Sequence, residues 1–202
     1  MLANAIGRRI GTISGCGYDS DEDEMYQDRS ELYDPSYTLC ALDIYSIIGY
    51  RVGLILESEL NHMEVDDRTI KNLIRNGALL ILWGESARSV GHWGCITLNG
   101  DNLVYFDSFG REPPHKVLAG IINLYMNKKL QHDSASTCGR WVAHFIRYYA
   151  IDEDAYVSLF SKCRDKDGYI TAATGNLASF NRRSAGDSSA HLGLWSWETL
   201  DR

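Results

Sequence analysis

The rhythm of hydrophobic and polar positions changes several times along the chain, and each rhythm predicts an element. ALLILW, residues 78–83, is a short unbroken apolar run and predicts a fully buried strand. HWGCITLNGDNLVYFDSFG, residues 92–110, alternates, turns once at Asn99-Gly100 and alternates again, which predicts a β-hairpin. Upstream, DDRTIKNLIRNG predicts a helix capped by Asp66 or Asp67, with Ile70, Leu73 and Ile74 on one face and Gly77 as its stop. Downstream of Pro113-Pro114, HKVLAGIINLYMNKKL predicts an amphipathic helix. After the polar loop QHDSAST, CGRWVAHFIRYY puts Trp141, Val142, Phe145, Ile146 and Tyr149 on one helical face, with Ser136 or Thr137 as N-cap. Asp152 caps a further short helix, DEDAYVSLFSK. From Tyr37 to Leu60 the chain is apolar, with no period that separates helix from strand.

The flanks differ from this middle. Residues 1–36 read as an acidic N-terminal arm, with eight carboxylates between Asp19 and Asp34. Such an arm is a solvated segment, a docking tail, or a removable pro-segment that meets a basic surface. Residues 37–162 carry the periodic segments and form the expected domain. Residues 163–202 turn small, polar and turn-rich, and are expected to be a loose C-terminal extension with a tryptophan-bearing end that docks elsewhere.

Bulk composition narrows the classes. Hydrophobic residues at 45% and charged residues at 23% are a globular balance, and 202 residues suit one domain with extensions. Twelve tyrosines and five tryptophans favour a sheet-containing protein. A formal charge of −7 argues against an obligate nucleic-acid binder, so nucleic acid is not expected to be required. No apolar run approaches the roughly 20 residues of a membrane span, so no membrane partner is expected. The first arginines follow the apolar residues, the wrong order for a secretory signal. Five cysteines, at 16, 40, 95, 138 and 163, are widely spaced and lack a CxxC pair. That spacing argues against a disulfide framework or zinc knuckle and for a reducing compartment, with no metal and no cofactor.

The hairpin carries the first chemistry. With Asn99-Gly100 as a two-residue loop, paired positions sum to 199 and His92 faces Asp107. A four-residue loop, 99–102, would put His92 opposite Phe109 instead. A carboxylate beside a histidine holds one tautomer and stabilises the imidazolium. Cys138 falls in the first turn of an apolar-faced helix, where free N–H groups and the helix dipole favour a thiolate. A neighbouring imidazolium would complete an ion pair ready for nucleophilic attack. Gly139 would let a substrate backbone come close. Gln131, seven residues before Cys138, supplies an amide able to donate to an oxyanion alongside the Cys138 N–H. Cys95 and Cys40 read as packing residues, and Cys16 and Cys163 have no evident partner.

Taken together, His92-Trp93, Asp107 in FDSFG, Gln131 and Cys138-Gly139 resemble, in that order, the adenovirus-protease and SUMO-protease group of cysteine peptidases. The seven-residue step from Gln131 to Cys138 is similar to the adenoviral side of the group. Residues 78–160 look most like the maturation proteases of double-stranded DNA viruses, including virophages and polinton-like elements. The resemblance implies an α+β fold of the papain-like cysteine protease superfamily, with a central mixed β-sheet packed between helices and the catalytic cysteine at a helix N-terminus. It implies that His92 is the general base, Asp107 its orienter, Cys138 the nucleophile and Gln131 an oxyanion donor. Trp93 would lie near the substrate cleft. It further implies cleavage after small residues such as Gly-Gly, capsid or scaffold precursors as polypeptide substrates, and a place in the virion and the infected host cell. Either extension would serve for capsid docking, and the acidic arm would cover the cleft until trimmed. The group's activation by peptide and DNA is not implied here, because the chain is acidic and offers no clear cysteine for a peptide disulfide.

Other chemistries fit less well. Papain-like enzymes proper place cysteine before histidine, and here the order is reversed. A serine hydrolase would need GxSxG, which is absent. A zinc site would need a closer cluster, and His92 and Cys95 project to opposite faces of a strand. An isopeptidase acting on ubiquitin-like modifiers shares the same four residues, as does a capsid-associated structural protein built on a protease fold.

Overall fold

The structure, a computed structural model, describes residues 33–84, 91–148 and 153–186. Five strands make one sheet in sequential order: β1 (Gly53–Leu56), β2 (Ala78–Trp83), β3 (His92–Asn99), β4 (Asn102–Phe106) and β5 (Leu124–Tyr125). The sheet is mixed: β1 is parallel to β2, β3 is antiparallel to both β2 and β4, and β5 is parallel to β4. Helices α1 (Ala41–Ile48), α5 (Cys138–Tyr148) and α7 (Lys166–Gly186) lie with one face; α2 (Glu57–Leu60), α3 (Asp67–Leu73) and α4 (Lys116–Ile121) lie with the other. A short α6 (Glu153–Ser158) follows α5. The expected α+β class, with a mixed sheet between helices, is the one observed.

The sheet is sandwiched because β2 is apolar on both faces. Ala78, Leu80 and Leu82 enter the core shared with α1, α5 and α7. Leu79, Ile81 and Trp83 enter the core shared with Leu60, Ile70 and Leu118. Each fully buried large aliphatic side chain contributes about 1.5–3 kcal/mol, which is what makes an unbroken apolar strand worth forming. The undecided run from Tyr37 to Leu60 resolves into α1, β1 and α2. Asp43 receives the Cys40 N–H at 3.0 Å at the start of α1, and Gly49 ends the helix at φ +90°.

Four expectations are corrected. The hairpin pairs Leu98 with Leu103 and Asn99 with Asn102, so its loop is Gly100-Asp101 and paired positions sum to 201. Gly100 has φ +59° and Asp101 does not have positive φ, the pattern of a II′ turn with glycine first. The type I′ geometry belongs to the other Asn-Gly pair: Asn76 (φ 49°) and Gly77 (φ 84°) join the bridged residues Arg75 and Ala78. The expected helix over HKVLAGIINLYMNKKL stops after Ile121, because Asn123 turns to the sheet edge. Its N–H donates to Leu103 O at 3.0 Å, and its Oδ1 accepts the Leu103 N–H at 2.7 Å.

The C-terminal segment expected to be loose contains α7, 21 residues long, with Ile170 and Ala178 fully buried in the core. Its small residues let it lie close to its neighbours: a Cβ on Gly175 would meet the Tyr33 ring at 2.6 Å. Cys40, read as a packing residue, is disulfide-bonded, while Cys95, Cys138 and Cys163 are free. Pairing depends on Cα atoms approaching to about 4.4–6.8 Å in space, which sequence spacing does not reveal. The partner of Cys40, the Asp152 cap, Tyr149, residues 1–32 of the arm and the tail from 187 lie outside the described residues.

Candidate active site

The hairpin ends bring His92 and Asp107 together despite the changed register. Registers summing to 199 and 201 differ by two residues, so every side chain keeps its face. Continuing the ladder beyond Cys95–Phe106 sets His92 level with Phe109, the alternative register weighed above, and the two rings stack with centroids 5.0 Å apart. Asp107 lies on the adjacent diagonal, still within reach of a long side chain. His92 Nε2 sits 2.8 Å from Asp107 Oδ2. A turn over residues 107–110 returns the chain, with Gly110 N donating to Asp107 O at 2.9 Å.

The Asp107 carboxylate is buried and held from two sides. Besides His92, the Phe109 N–H donates to its Oδ1 at 2.7 Å. The Tyr105 hydroxyl lies near enough for the Asp107 charge to act on it. Tyr105 in turn accepts the Trp83 indole N–H at 2.8 Å. Burial and then the charge of Asp107 push the Tyr105 phenol far up, so it stays neutral. Gly94 makes room for this chain: a Cβ there would meet Tyr105 Oη at 2.7 Å and Trp83 Nε1 at 2.9 Å.

Cys138 is the first residue of α5 and is 6% exposed. Thr137 O receives the N–H groups of Arg140 and Trp141, so Thr137 stands at the N-cap position. Its hydroxyl, however, donates to Asp167 rather than to its own helix. Cys138 lies close enough to His92 to raise the pKa of the imidazole. Because Asp107 occupies Nε2, Nδ1 is the ring nitrogen left for the sulfur.

Trp93 and Gly139, expected at the substrate, face inward. Trp93 is 2% exposed and its indole N–H donates to Leu39 O at 2.9 Å. A Cβ on Gly139 would meet Trp93 Cδ1 and Leu39 Cβ, both at 3.1 Å, so this glycine brings α5 close to β3 and α1. Period-2 alternation explains it: His92 and Trp93 are neighbours in sequence and therefore point to opposite faces.

Gln131 is also buried. Ser108 Oγ donates to its Oε1 at 2.5 Å, and its Nε2 donates to Ala135 O at 2.6 Å. These bonds orient the amide and leave one of its two N–H donors uncommitted. Ser108, Tyr105 and Asp167 were not singled out from sequence. Ser108 and Tyr105 flank Asp107 in FDSFG and on β4, where the alternation places Tyr105 on the Asp107 face; Asp167 gave no signal.

Burial alone would lower the His92 pKa. The hydrogen bond to Asp107, the neighbouring Cys138 sulfur and the charges of both outweigh it and lift the group from its ordinary 6.5 to about 9. His144, deep in α5, is pushed the other way by burial, to about 3, and remains neutral beside the Tyr156 hydroxyl at 3.0 Å. The site therefore favours a charged imidazole flanked by a carboxylate and a sulfur. Among the described residues, no three His, Cys, Asp or Glu side chains gather to hold a metal. No helix among them is long and apolar enough to cross a membrane.

No protein-family model and no curated protein matches this chain. Among solved structures, it is similar to two crystal structures of the ASFV pS273R protease, one of them in selenomethionine form. They are 16% and 15% identical to it; each likeness covers 70% of this chain and 68% of the other, with a TM-score of 0.45.

Proposed function

We propose that this chain is a viral cysteine endopeptidase that cuts capsid or scaffold precursor proteins during virion maturation, after small residues such as Gly-Gly. One observation carries the reading: a single imidazole, His92, bonds to a buried carboxylate, Asp107, and lies beside a cysteine, Cys138, at the start of a helix. In the reaction, Cys138 Sγ attacks the scissile carbonyl carbon and a C–S bond forms. The carbonyl oxygen becomes an oxyanion, which the Cys138 N–H and the spare Gln131 N–H receive. The imidazolium of His92 gives its proton to the leaving amine as the C–N bond breaks. Water, deprotonated by His92, then hydrolyses the thioester and restores the thiolate pair. Asp107 keeps the ring in one tautomer throughout.

The test is mass spectrometry of virion proteins co-expressed with the active chain or with Cys138→Ala. New termini at small-residue sites are expected with the first and none with the second. Identical termini in both would sink the proposal. Loss of ubiquitin-like conjugates, with precursors left intact, would redirect it to an isopeptidase.

A further inference from the structure

We propose that Asp167, on α7, is a positioning residue for the oxyanion side of the site; this rests on the cysteine-protease reading above. The segment between Gln131 and Cys138 is a polar loop with little of its own structure. Asp167 ties both of its ends. Its Oδ2 accepts the His132 N–H at 2.8 Å, next to Gln131. Its Oδ1 accepts the Thr137 hydroxyl, next to Cys138, and the Trp141 indole N–H at 2.9 Å, one turn into α5. One carboxylate thus fixes the residue after the amide, the residue before the nucleophile, and the helix that carries the nucleophile.

An open cleft lined by Leu130, Gln131, His132 and Asp167 among others lies at the Gln131 end of the loop, where Asp167 spans it by hydrogen bonds. The Gln131 amide depends on the same loop, because its Nε2 is anchored to Ala135 O. If the clamp is released, Ala135 shifts and the amide turns with it. The two oxyanion donors, the Gln131 amide and the Cys138 N–H, then lose their common reference. Asp167 is itself set by the start of α7, where Asp165 Oδ1 accepts the Gly168 N–H at 2.9 Å and caps the helix.

The experiment compares the wild type with Asp167→Asn and Thr137→Val, using the full chain and the best substrate from a peptide-amide library. Three readouts separate the roles: kcat against KM, inhibition by the matching peptide aldehyde, and alkylation of Cys138 by iodoacetamide. Aldehyde addition creates an oxygen that needs the donors, and alkylation does not. Asp167→Asn is expected to lose about 10- to 100-fold in kcat, less than the roughly 100- to 1,000-fold lost with an oxyanion donor itself. KM and the alkylation rate should hold within about twofold, and aldehyde affinity should fall in step with kcat/KM. Thr137→Val should show the same pattern, smaller. Unchanged kcat in Asp167→Asn, even with a lowered melting temperature, overturns the inference. So does a parallel fall in alkylation, which would mean that α5 as a whole had moved. A wild type that cleaves no peptide and shows no fast Cys138 alkylation overturns the protease reading itself, and this inference with it.

Discussion

His92 is held between two groups that both favour its charged form, and this sets how the site responds to pH. In the proposed reaction the imidazolium supplies the proton for the leaving amine, so acylation should fall as pH rises through about 9. Because the folded value is raised, the stability from this pairing is complete below the ordinary 6.5 and is lost through about 9. Asp107→Asn removes a bond that raises the value, and the alkaline limb of kcat/KM should then move down toward neutrality. A limb that does not move would show that Asp107 does not control the imidazole. The juxtaposition of His92 and Asp107 was legible in sequence because hairpin alternation survives a two-residue change of register. The inward packing of Trp93 and Gly139 was not legible from adjacency to reactive residues. Asp167 was hidden because its bonds reach across 26 to 35 residues, from a segment whose composition suggests no helix.

At the level of elements, two glycines with similar backbones separate conformation from crowding. Gly100 has φ +59° with nothing within 4 Å of an added Cβ. Gly110 has φ +69°, and its Cβ would meet the Asn127 and Lys128 backbones at 2.8–2.9 Å. Gly100→Ala therefore costs only the strain of a left-handed residue, about 1–3 kcal/mol. Gly110→Ala adds a clash that displaces the turn behind Asp107, so it should cost more and also reduce cleavage. Urea unfolding checks this, and equal losses would refute it. The two Asn-Gly pairs explain why the hairpin register was misread: the dipeptide allows a I′ turn, but only the one at 76–77 adopts it. The helix over 115–130 was overextended because its period continues past Ile121. What ends it is the pairing of Asn123 with Leu103, a tertiary bond.

Across the whole molecule, the late part of the chain secures the early part. Asn181 Nδ2 donates to Ser46 O at 3.0 Å and Ile47 O at 2.9 Å, and Arg147 donates to Ile48 O at 3.0 Å. These bonds close the carbonyl end of α1. Asn181→Ala should destabilise the protein by about 1–3 kcal/mol, read from denaturant midpoints, since those carbonyls lose their partner. An unchanged midpoint would mean that α7 adds nothing to α1. The layered class was readable from the apolar β2, but the docking of α7 was not, because small residues pack by closeness and leave no periodic stripe. The span of these bonds also gives the molecule an order of assembly. The His92–Asp107 contact closes a loop of 15 residues, whereas Asn181 to Ser46 closes 135. Short loops close at lower entropic cost and earlier. In stopped-flow refolding, the sheet should regain its signal first, and reactivity of Cys138 should return only with the slowest phase. His92 and Asp107, already together on one hairpin, would then wait for Cys138, and under the proposed function a nascent chain would be unable to cut until α7 had joined the fold.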